Sequence, residues 1–388
     1  MLPIFEALFN GISIGSVLLI AALGLAIVFG LMGVINLAHG ELMMLGAYTT
    51  FVVQNGFKVL GDPWFDYYIF FALPMAFLVA GLTGLLLERG VIRFLYGRPL
   101  ETLLATWGVS LILQQFVRSV SWLFMISIVV FCGLFFGAQW ILQKRPNLER
   151  IKTTAIAITL PLSLAIATIT GILLNNSQNL PLIKPWFSAR NVDVTAPKWL
   201  RGGLPLGSFQ LPYTRLFIII LTVLCVVGIY WFLNRSNWGL RIRAVTQNRT
   251  MSACLGIPTN QVDALTFALG SGLAGIAGCA ISFLGSVGPN TGQNYIVDTF
   301  MVVVVGGVGN LLGTIIAALM IGILNYLIGS GILALLLMPI EPLKGLTDLL
   351  TFFATSSMAK VMIFALIIAF LQVKPAGLFP QKGRTAEL

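Results

Sequence analysis

Long apolar runs separated by short polar segments recur along the whole chain. Most are close to the 20 or so residues that an α-helix needs to cross the hydrocarbon core of a bilayer. A β-barrel is disfavoured, because its strands would alternate polar and apolar residues over segments of about ten. The pattern predicts an all-α polytopic membrane protein, with helices near 8–34, 36–54, 67–88, 102–119, 120–142, 153–174, 213–233, 262–286, 296–309, 311–329 and 358–373.

The composition supports this prediction. Of the 388 residues, 58% are apolar and only 9% are charged, whereas about 25% of a soluble domain is charged. The net charge of +10 does not indicate nucleic acid, because the cations lie mainly in loops between apolar runs, where they set helix orientation. We therefore expect contact with membrane lipid and no nucleic-acid partner.

The cations also predict which helix ends face the cytoplasm, where positive residues concentrate. With the N-terminus outside, four loops lie inside, and they hold most of the Lys and Arg residues. These are Arg89, Arg93, Arg98, Lys144, Arg145, Arg150, Lys152, Arg235, Arg241, Arg243, Arg249, Lys374, Lys382 and Arg384. We predict that the N-terminus is outside and the C-terminus is cytoplasmic.

Residues for catalysis or metal binding are scarce. The four cysteines are widely spaced and the chain has one histidine, His39, so neither a zinc set nor an HExxH motif is possible. No GxxxxGK[ST] loop is present to hold nucleotide phosphates. We expect that the chain is not itself an enzyme and binds no cofactor or metal.

Two interleaved stripes of small residues mark the run near 262–286. Gly270, Ala274 and Gly278 form one stripe, and the second consists of Ser271, Gly275 and Cys279. Small residues four apart let helix backbones approach closely within a membrane. The stripes predict close helix packing, which is compatible with a smooth wall for a substrate path.

Polar residues inside the apolar runs are candidates for a translocation path. Asn36, His39 and Glu41 form the first group, and buried ionisable groups are functional candidates by default. The alternative is that they cap or pair at a helix end near cytoplasmic water. Gln114, which interrupts the fourth run, either joins helices or faces a cavity. Two further polar residues, Asn294 and Asp298, either line an outer vestibule or solvate a loop.

The loop 234–262 is the longest predicted cytoplasmic loop. Ser236 or Asn237 can cap a helix, and Gly256 followed by Pro258 can end one. A short amphipathic helix here would dock in a partner's groove or lie on the membrane surface. The candidate docking residues are Arg241, Arg243, Ala244, Met251, Ala253 and Gly256.

Several segments resemble a known family. This chain resembles the branched-chain amino-acid (LIV-type) permeases of ABC importers in three segments: GLMGVINLAHGELMMLGAY, LRIRAVTQNRTMSACLGI and GGVGNLLGTIIAALMIGIL. Urea-importer permeases of the UrtB type look closer still in LATWGVSLILQQFVR, NVDVTAPKWL and GPNTGQNYIVDTFMVVVVGG. The resemblance covers residues 1–120 and 187–388 in order. It implies a LIV-type bundle of about nine core spans, with residues 121–186 as an inserted helical hairpin.

The resemblance also implies a function. The chain would be one permease of an ATP-driven importer in a bacterial inner membrane, beside a second permease, two cytosolic ATPases that bind ATP and Mg, and an outer solute-binding protein. Loop 234–262 matches the coupling segment of the family, which favours ATPase docking. Urea or short amides are the expected substrates. Branched-chain or other amino acids are the alternative, and a stand-alone channel or secondary carrier is the rival class.

Overall fold

The computed structural model describes residues 2–61, 64–143, 148–176, 186–187, 190–206, 209–332, 351 and 354–379. Four of the cations used to predict the orientation, Lys144, Arg145, Lys382 and Arg384, lie outside the described residues.

The described chain is almost entirely helical, which confirms the all-α prediction. The helices are α1 (Leu2–Met32), α2 (His39–Leu60), α3 (Tyr68–Gly90), α4 (Pro99–Ser119), α5 (Trp122–Gln143), α6 (Leu148–Asn176), α7 (Tyr213–Arg235), α8 (Asn237–Gln247), α9 (Arg249–Cys254), α10 (Thr259–Ile281), α11 (Thr291–Gly306), α12 (Leu311–Gly329) and α13 (Ser356–Val373). Short 3₁₀ turns cover Trp64–Tyr67, Ile92–Leu95 and Lys198–Leu200, and the strands β1 (Gly203–Leu206) and β2 (Phe209–Pro212) pair antiparallel.

Six helical segments of the described chain are long and apolar enough to cross a membrane: 5–32, 64–90, 99–119, 213–235, 259–281 and 311–329. Shorter apolar helices occupy 123–135, 158–172 and 358–373. Together, these nine segments of the described chain are fewer than the eleven helices predicted from the sequence. Two predicted spans are in neither group: α11 has only 16 residues, and α2 carries polar residues such as His39, Glu41 and Gln54.

The chain divides into two compact units, one of residues 1–111 with 192–388 and one of residues 112–191. In the second unit α5 packs along α6, where Ser127 lies beside Gly171. The predicted hairpin 121–186 falls within this unit, and its status as an insertion stays a prediction.

Helix α10 packs against α1, α2 and α3 through its small residues. Gly270 lies against Gly24 of α1, Gly275 lies against Ala76 of α3, and Gly278 lies against Met43 of α2. A Cβ atom at Gly270 would come within 2.6 Å of the Gly24 carbonyl oxygen. The packing interpretation of the small-residue stripes is confirmed.

Helix α2 begins beside the middle of α1 and not beside the C-terminal end of α1. After α1 ends at Met32, Gly33 takes a left-handed backbone (φ 68°), and the chain turns back. His39 Nε2 then lies 3.0 Å from the carbonyl oxygen of Ala21. Ala21 precedes Met32 by eleven residues, which is about 16 Å along the helix axis.

Helix α11 also begins at this place. The backbone of Gly292 contacts the backbone of Gly40, so that a Cβ atom at Gly292 would lie 2.6 Å from the Gly40 carbonyl carbon. Only glycine at both positions permits the approach. The N-terminal turns of α2 and α11 therefore meet beside α1.

Candidate functional site

Asn36, His39 and Glu41 form a buried group at the start of α2, which we call the central cluster. Their exposed fractions are 2%, 0% and 1%. Asn36 Oδ1 accepts a hydrogen bond of 3.1 Å from the Ala38 backbone N–H, and so closes the turn before α2. The residues lie at the start of a helix, as the capping alternative expected, but they are buried against α1, because residues 33–38 carry the chain back along that helix.

Helix α4 supplies hydroxyl groups to the central cluster. Ser110 Oγ donates to Glu41 Oε1 over 3.0 Å, and Thr106 Oγ1 accepts from the Leu37 N–H over 3.2 Å. Sequence reasoning missed Ser110. A signal was available, because polar residues recur every four positions on α4 and all are buried: Thr102, Thr106, Ser110 and Gln114.

The position of Glu41 explains why a buried carboxylate is tolerated there. It lies in the first turn of α2, and its Oε2 would be 2.7 Å from a Cβ atom placed on Gly292, in the first turn of α11. Helix N-termini carry partial positive charge and favour anions. Two such termini and the Ser110 hydroxyl replace the water that the carboxylate has lost.

The central cluster can exchange hydrogen bonds with a small polar solute. Asn and His side chains offer both donors and acceptors, and Glu offers acceptors. Within the cluster, His39 Nδ1 and Asn36 Nδ2 are buried and have no hydrogen-bond partner among the residues that the structure describes. Buried polar atoms of this kind are rare in folded proteins.

Asp298 and Asn294 lie one turn apart on α11, with Asp298 buried and the Asn294 side chain exposed. Asp298 forms an ion pair with Lys360 of α13 at 2.8 Å. The Asn294 backbone carbonyl accepts from the same ammonium over 3.4 Å. Sequence reasoning missed Lys360, although a single cation inside the last apolar run was a visible signal.

The predicted docking segment contains two helices, so the expectation of a single short helix is wrong. Ser236 Oγ accepts from the Gly239 N–H over 2.9 Å and caps α8. Asn248 has an extended backbone and caps α9 by accepting from the Met251 N–H over 3.0 Å. Gly256, with φ 80°, follows the end of α9 as predicted.

The two helices present different faces. Ile242 and Val245 of α8 are buried with Val262, whereas Met251 and Leu255 are 59% and 76% exposed. We call the exposed apolar surface of residues 251–255 the α9 face.

The predicted docking residues are distributed over both helices. Ala253 is exposed on the α9 face and Ala244 of α8 is half-buried. The Arg241 guanidinium lies 4.9 Å from the centre of the Trp238 ring, and Arg243 donates to Asn234 Oδ1 over 3.3 Å. The two arginines therefore lie on α8, where they contact α8 itself and the end of α7.

Arg249 connects α9 to the bundle. Its guanidinium forms an ion pair of 2.6 Å with Asp263 of α10 and lies 5.0 Å from the centre of the Tyr96 ring. The Tyr96 hydroxyl donates to Glu88 Oε1 of α3 over 3.2 Å. Burial, followed by the nearby carboxylates of Asp263 and Glu88, raises the pKa of Tyr96, so its hydroxyl keeps the proton that it donates.

Among the described residues, no group of three or more His, Cys, Asp or Glu side chains comes together to hold a metal ion. The four cysteines, Cys132, Cys225, Cys254 and Cys279, form no disulfide.

A comparison with protein families gives this arrangement a context. The family described as branched-chain amino acid transport system / permease component matches residues 7–371. The chain belongs to this family. It is therefore a multi-pass membrane permease, and its relatives are transport subunits, not enzymes.

Individual relatives agree with this assignment. The chain is 24% identical over 375 residues to the high-affinity branched-chain amino acid transport system permease protein LivH of Salmonella typhimurium, covering 96% of this chain and 94% of LivH. It is 25% identical over 320 residues to BraD of Pseudomonas aeruginosa, a permease of the same description, covering 82% of this chain and 84% of BraD. The ribose import permease protein RbsC of Bacillus subtilis is 32% identical over 110 residues, which is 26% of this chain and 34% of RbsC. No solved structure matches.

Proposed function

We propose that this permease is a subunit of an ATP-driven ABC importer for urea or short amides. It forms the translocation path together with a second permease of the same family. Two cytosolic ATPases bind ATP and Mg and drive transport, and a solute-binding protein delivers substrate at the outer face. The complex lies in a bacterial inner membrane, with the N-terminus of this chain outside and the C-terminus in the cytoplasm.

The observation that carries this proposal is the central cluster. It combines the amide of Asn36, the imidazole of His39 and the carboxylate of Glu41 in a buried place where two helices begin. Urea is small and neutral, with one carbonyl acceptor and N–H donors on both sides. Such a solute matches a set of mixed donors and acceptors and needs no large apolar pocket.

One of the three segments that resemble urea-importer permeases makes several contacts with the rest of the bundle. In the run NVDVTAPKWL, the Thr195 carbonyl accepts from the Tyr68 hydroxyl over 2.8 Å. Val192 pairs with Val287, and the Lys198 N–H donates to Asp66 Oδ1 over 2.9 Å. These bonds support a role for the segment in shaping one end of the bundle.

Coupling to the ATPases fits the α9 face. An exposed apolar surface that follows a helix carrying the exposed Arg241 and Arg243 suits docking in a groove of a partner. Because Arg249 joins α9 to Asp263 of α10, movement of the docked helix would reach the helix on which α1, α2 and α3 pack. Alternating access then follows from a rigid shift of packed helices.

A branched-chain amino acid is the second candidate substrate. LivH is named as a branched-chain amino acid permease, and the similarity extends over 96% of this chain. The same transport cycle applies to this substrate.

Reconstitution of the complete complex in liposomes distinguishes these functions. We expect ATP-dependent uptake of radiolabelled urea and little uptake of leucine, with ATPase subunits retained during purification. Uptake of leucine alone would select the second candidate. Transport by this chain without ATPases or ATP would indicate a channel or secondary carrier and refute both importer proposals.

A further inference from the structure

A cavity of about 270 Å³ lies within the first unit, between α1, α7, α11, α12 and α13. One wall is apolar and includes Ile14 and Leu18 of α1. The polar lining comes from four other helices and consists of Arg215, Tyr295, Asp298, Asn325 and Lys360.

The charged groups at the cavity are held in place by neighbours. Lys360 Nζ bonds to Asp298 at 2.8 Å and lies 5.8 Å from the centre of the Tyr295 ring. Arg215 Nη1 donates to Asn10 Oδ1 of α1, and the Asn10 amide donates to the Tyr326 hydroxyl over 2.8 Å. Because each charge is fixed by contacts to a different helix, the cavity keeps a defined arrangement of donors and acceptors.

The cavity lining carries two cations and one carboxylate, so its charges do not balance. A single ion pair between Asp298 and Lys360 would join α11 to α13, yet Arg215 adds a second cation to the same cavity. Charged residues are rare in membrane bundles and usually serve function. The cavity offers N–H donors on two cationic side chains, a carboxylate acceptor, and an apolar wall opposite.

We propose that this cavity binds the transported solute through a carbonyl or carboxylate oxygen at Arg215 and Lys360 and through N–H groups at Asp298. Urea and amino acids share this chemistry. The inference takes from the proposed function only that the transported solute belongs to one of these two classes. The two solutes would differ in their contacts with the apolar wall. An amino-acid side chain would lie against Ile14, whereas urea leaves that wall empty.

Two variants test the charged groups directly. Asp298→Asn keeps the shape of the side chain and removes its charge, and Arg215→Gln removes the second cation. Binding of radiolabelled urea or leucine to the purified complex is measured by equilibrium dialysis, and uptake kinetics are measured in liposomes. We expect at least a tenfold loss of binding and a tenfold rise in KM. Glu101→Gln is the matched control, because it breaks an exposed ion pair, with Arg98 at 3.1 Å, and should change neither.

A charge swap separates binding from structure. Asp298→Lys combined with Lys360→Asp retains an ion pair between α11 and α13 but exchanges the positions of donor and acceptor. We expect normal assembly and weak binding. Recovery of wild-type KM in the swap would show that the pair only joins helices and would overturn the proposal.

The variant Ile14→Ala distinguishes an amino-acid substrate from urea. It should weaken leucine binding severalfold if amino acids are the substrate and leave urea binding unchanged if urea is. Failure of the wild-type complex to bind either solute overturns this inference, even where uptake supports the importer. Binding that depends on Asp298 and Arg215 in a complex without ATP-dependent uptake supports the site and refutes the proposed function.

Discussion

Glu41 and Asp298 are both buried carboxylates, but the protein stabilises them in different ways. Glu41 accepts from the neutral Ser110 hydroxyl and lies where the first turns of α2 and α11 meet. Asp298 is the eighth of the 16 residues of the same α11 and forms an ion pair with Lys360. One carboxylate therefore depends on helix ends and neutral donors, and the other depends on a full opposite charge.

This difference predicts different responses to substitution. Removing one partner of a buried ion pair leaves an uncompensated charge and is strongly destabilising. Removing one neutral donor from a carboxylate leaves the other donors and the helix dipoles in place, and the loss is that of about one hydrogen bond. The central cluster should therefore tolerate changes that the Asp298–Lys360 ion pair does not.

The largest effect on folding is expected from Lys360→Met. Loss of a fully buried partner costs about 3–5 kcal/mol, and we expect the lower end of this range or less because Lys360 is 37% exposed. Thermal unfolding of the purified complex in detergent measures the change. Adding Asp298→Asn to the Lys360→Met chain should recover part of the lost stability. If Lys360→Met alone were as stable as the wild type, the comparison between the two carboxylates would be contradicted.

A smaller effect on folding but a large effect on transport is expected from Glu41→Gln. The variant keeps the shape and the Ser110 bond but places an amide near two helix N-termini, which costs about 1 kcal/mol. We predict assembly with ATPases and at least a tenfold loss of ATP-dependent uptake. Parallel measurement of Glu101→Gln, an exposed carboxylate, provides the control. Unchanged uptake in both Glu41→Gln and Asn36→Ala would limit the central cluster to a structural role.

Ser110→Ala tests the neutral donor itself. It removes the hydroxyl that donates to Glu41 Oε1 and should destabilise the protein by about 1 kcal/mol. The unfolding midpoint should fall less than in Lys360→Met. A larger fall would mean that Glu41 depends on Ser110 as strongly as Asp298 depends on Lys360.

The smallest effect on folding is expected where a new carboxylate is placed on an exposed surface. Ala253→Asp on the α9 face should change stability by less than about 0.5 kcal/mol. It should nevertheless prevent ATPase docking, because a buried unpaired charge at an interface is costly. Co-purification of ATPase subunits is the measurement, and Gln293→Asp, at an exposed position of α11, is the matched control. Retention of ATPases and normal uptake by Ala253→Asp would place the docking site elsewhere.

The sequence by itself determined most of the helices. Runs of apolar residues of bilayer length indicate where a backbone must satisfy its own hydrogen bonds, and the observed bounds of α7 and α12 lie within two residues of those predicted. Local signals also succeeded where the physics is local, as in the Ser236 cap. The small-residue stripes of α10 predicted close packing, because backbone approach requires small side chains.

Only the tertiary structure decided how deep α2 begins and which charges meet. The return of residues 33–38 along α1 depends on contacts with Ala21 and Gly24, which no local pattern specifies. Asp298 and Lys360 are 62 positions apart, and Arg215 and Asn10 are 205 apart. Periodicity reports which face of a helix is apolar, but the partner of a polar side chain is set by the packing of distant helices.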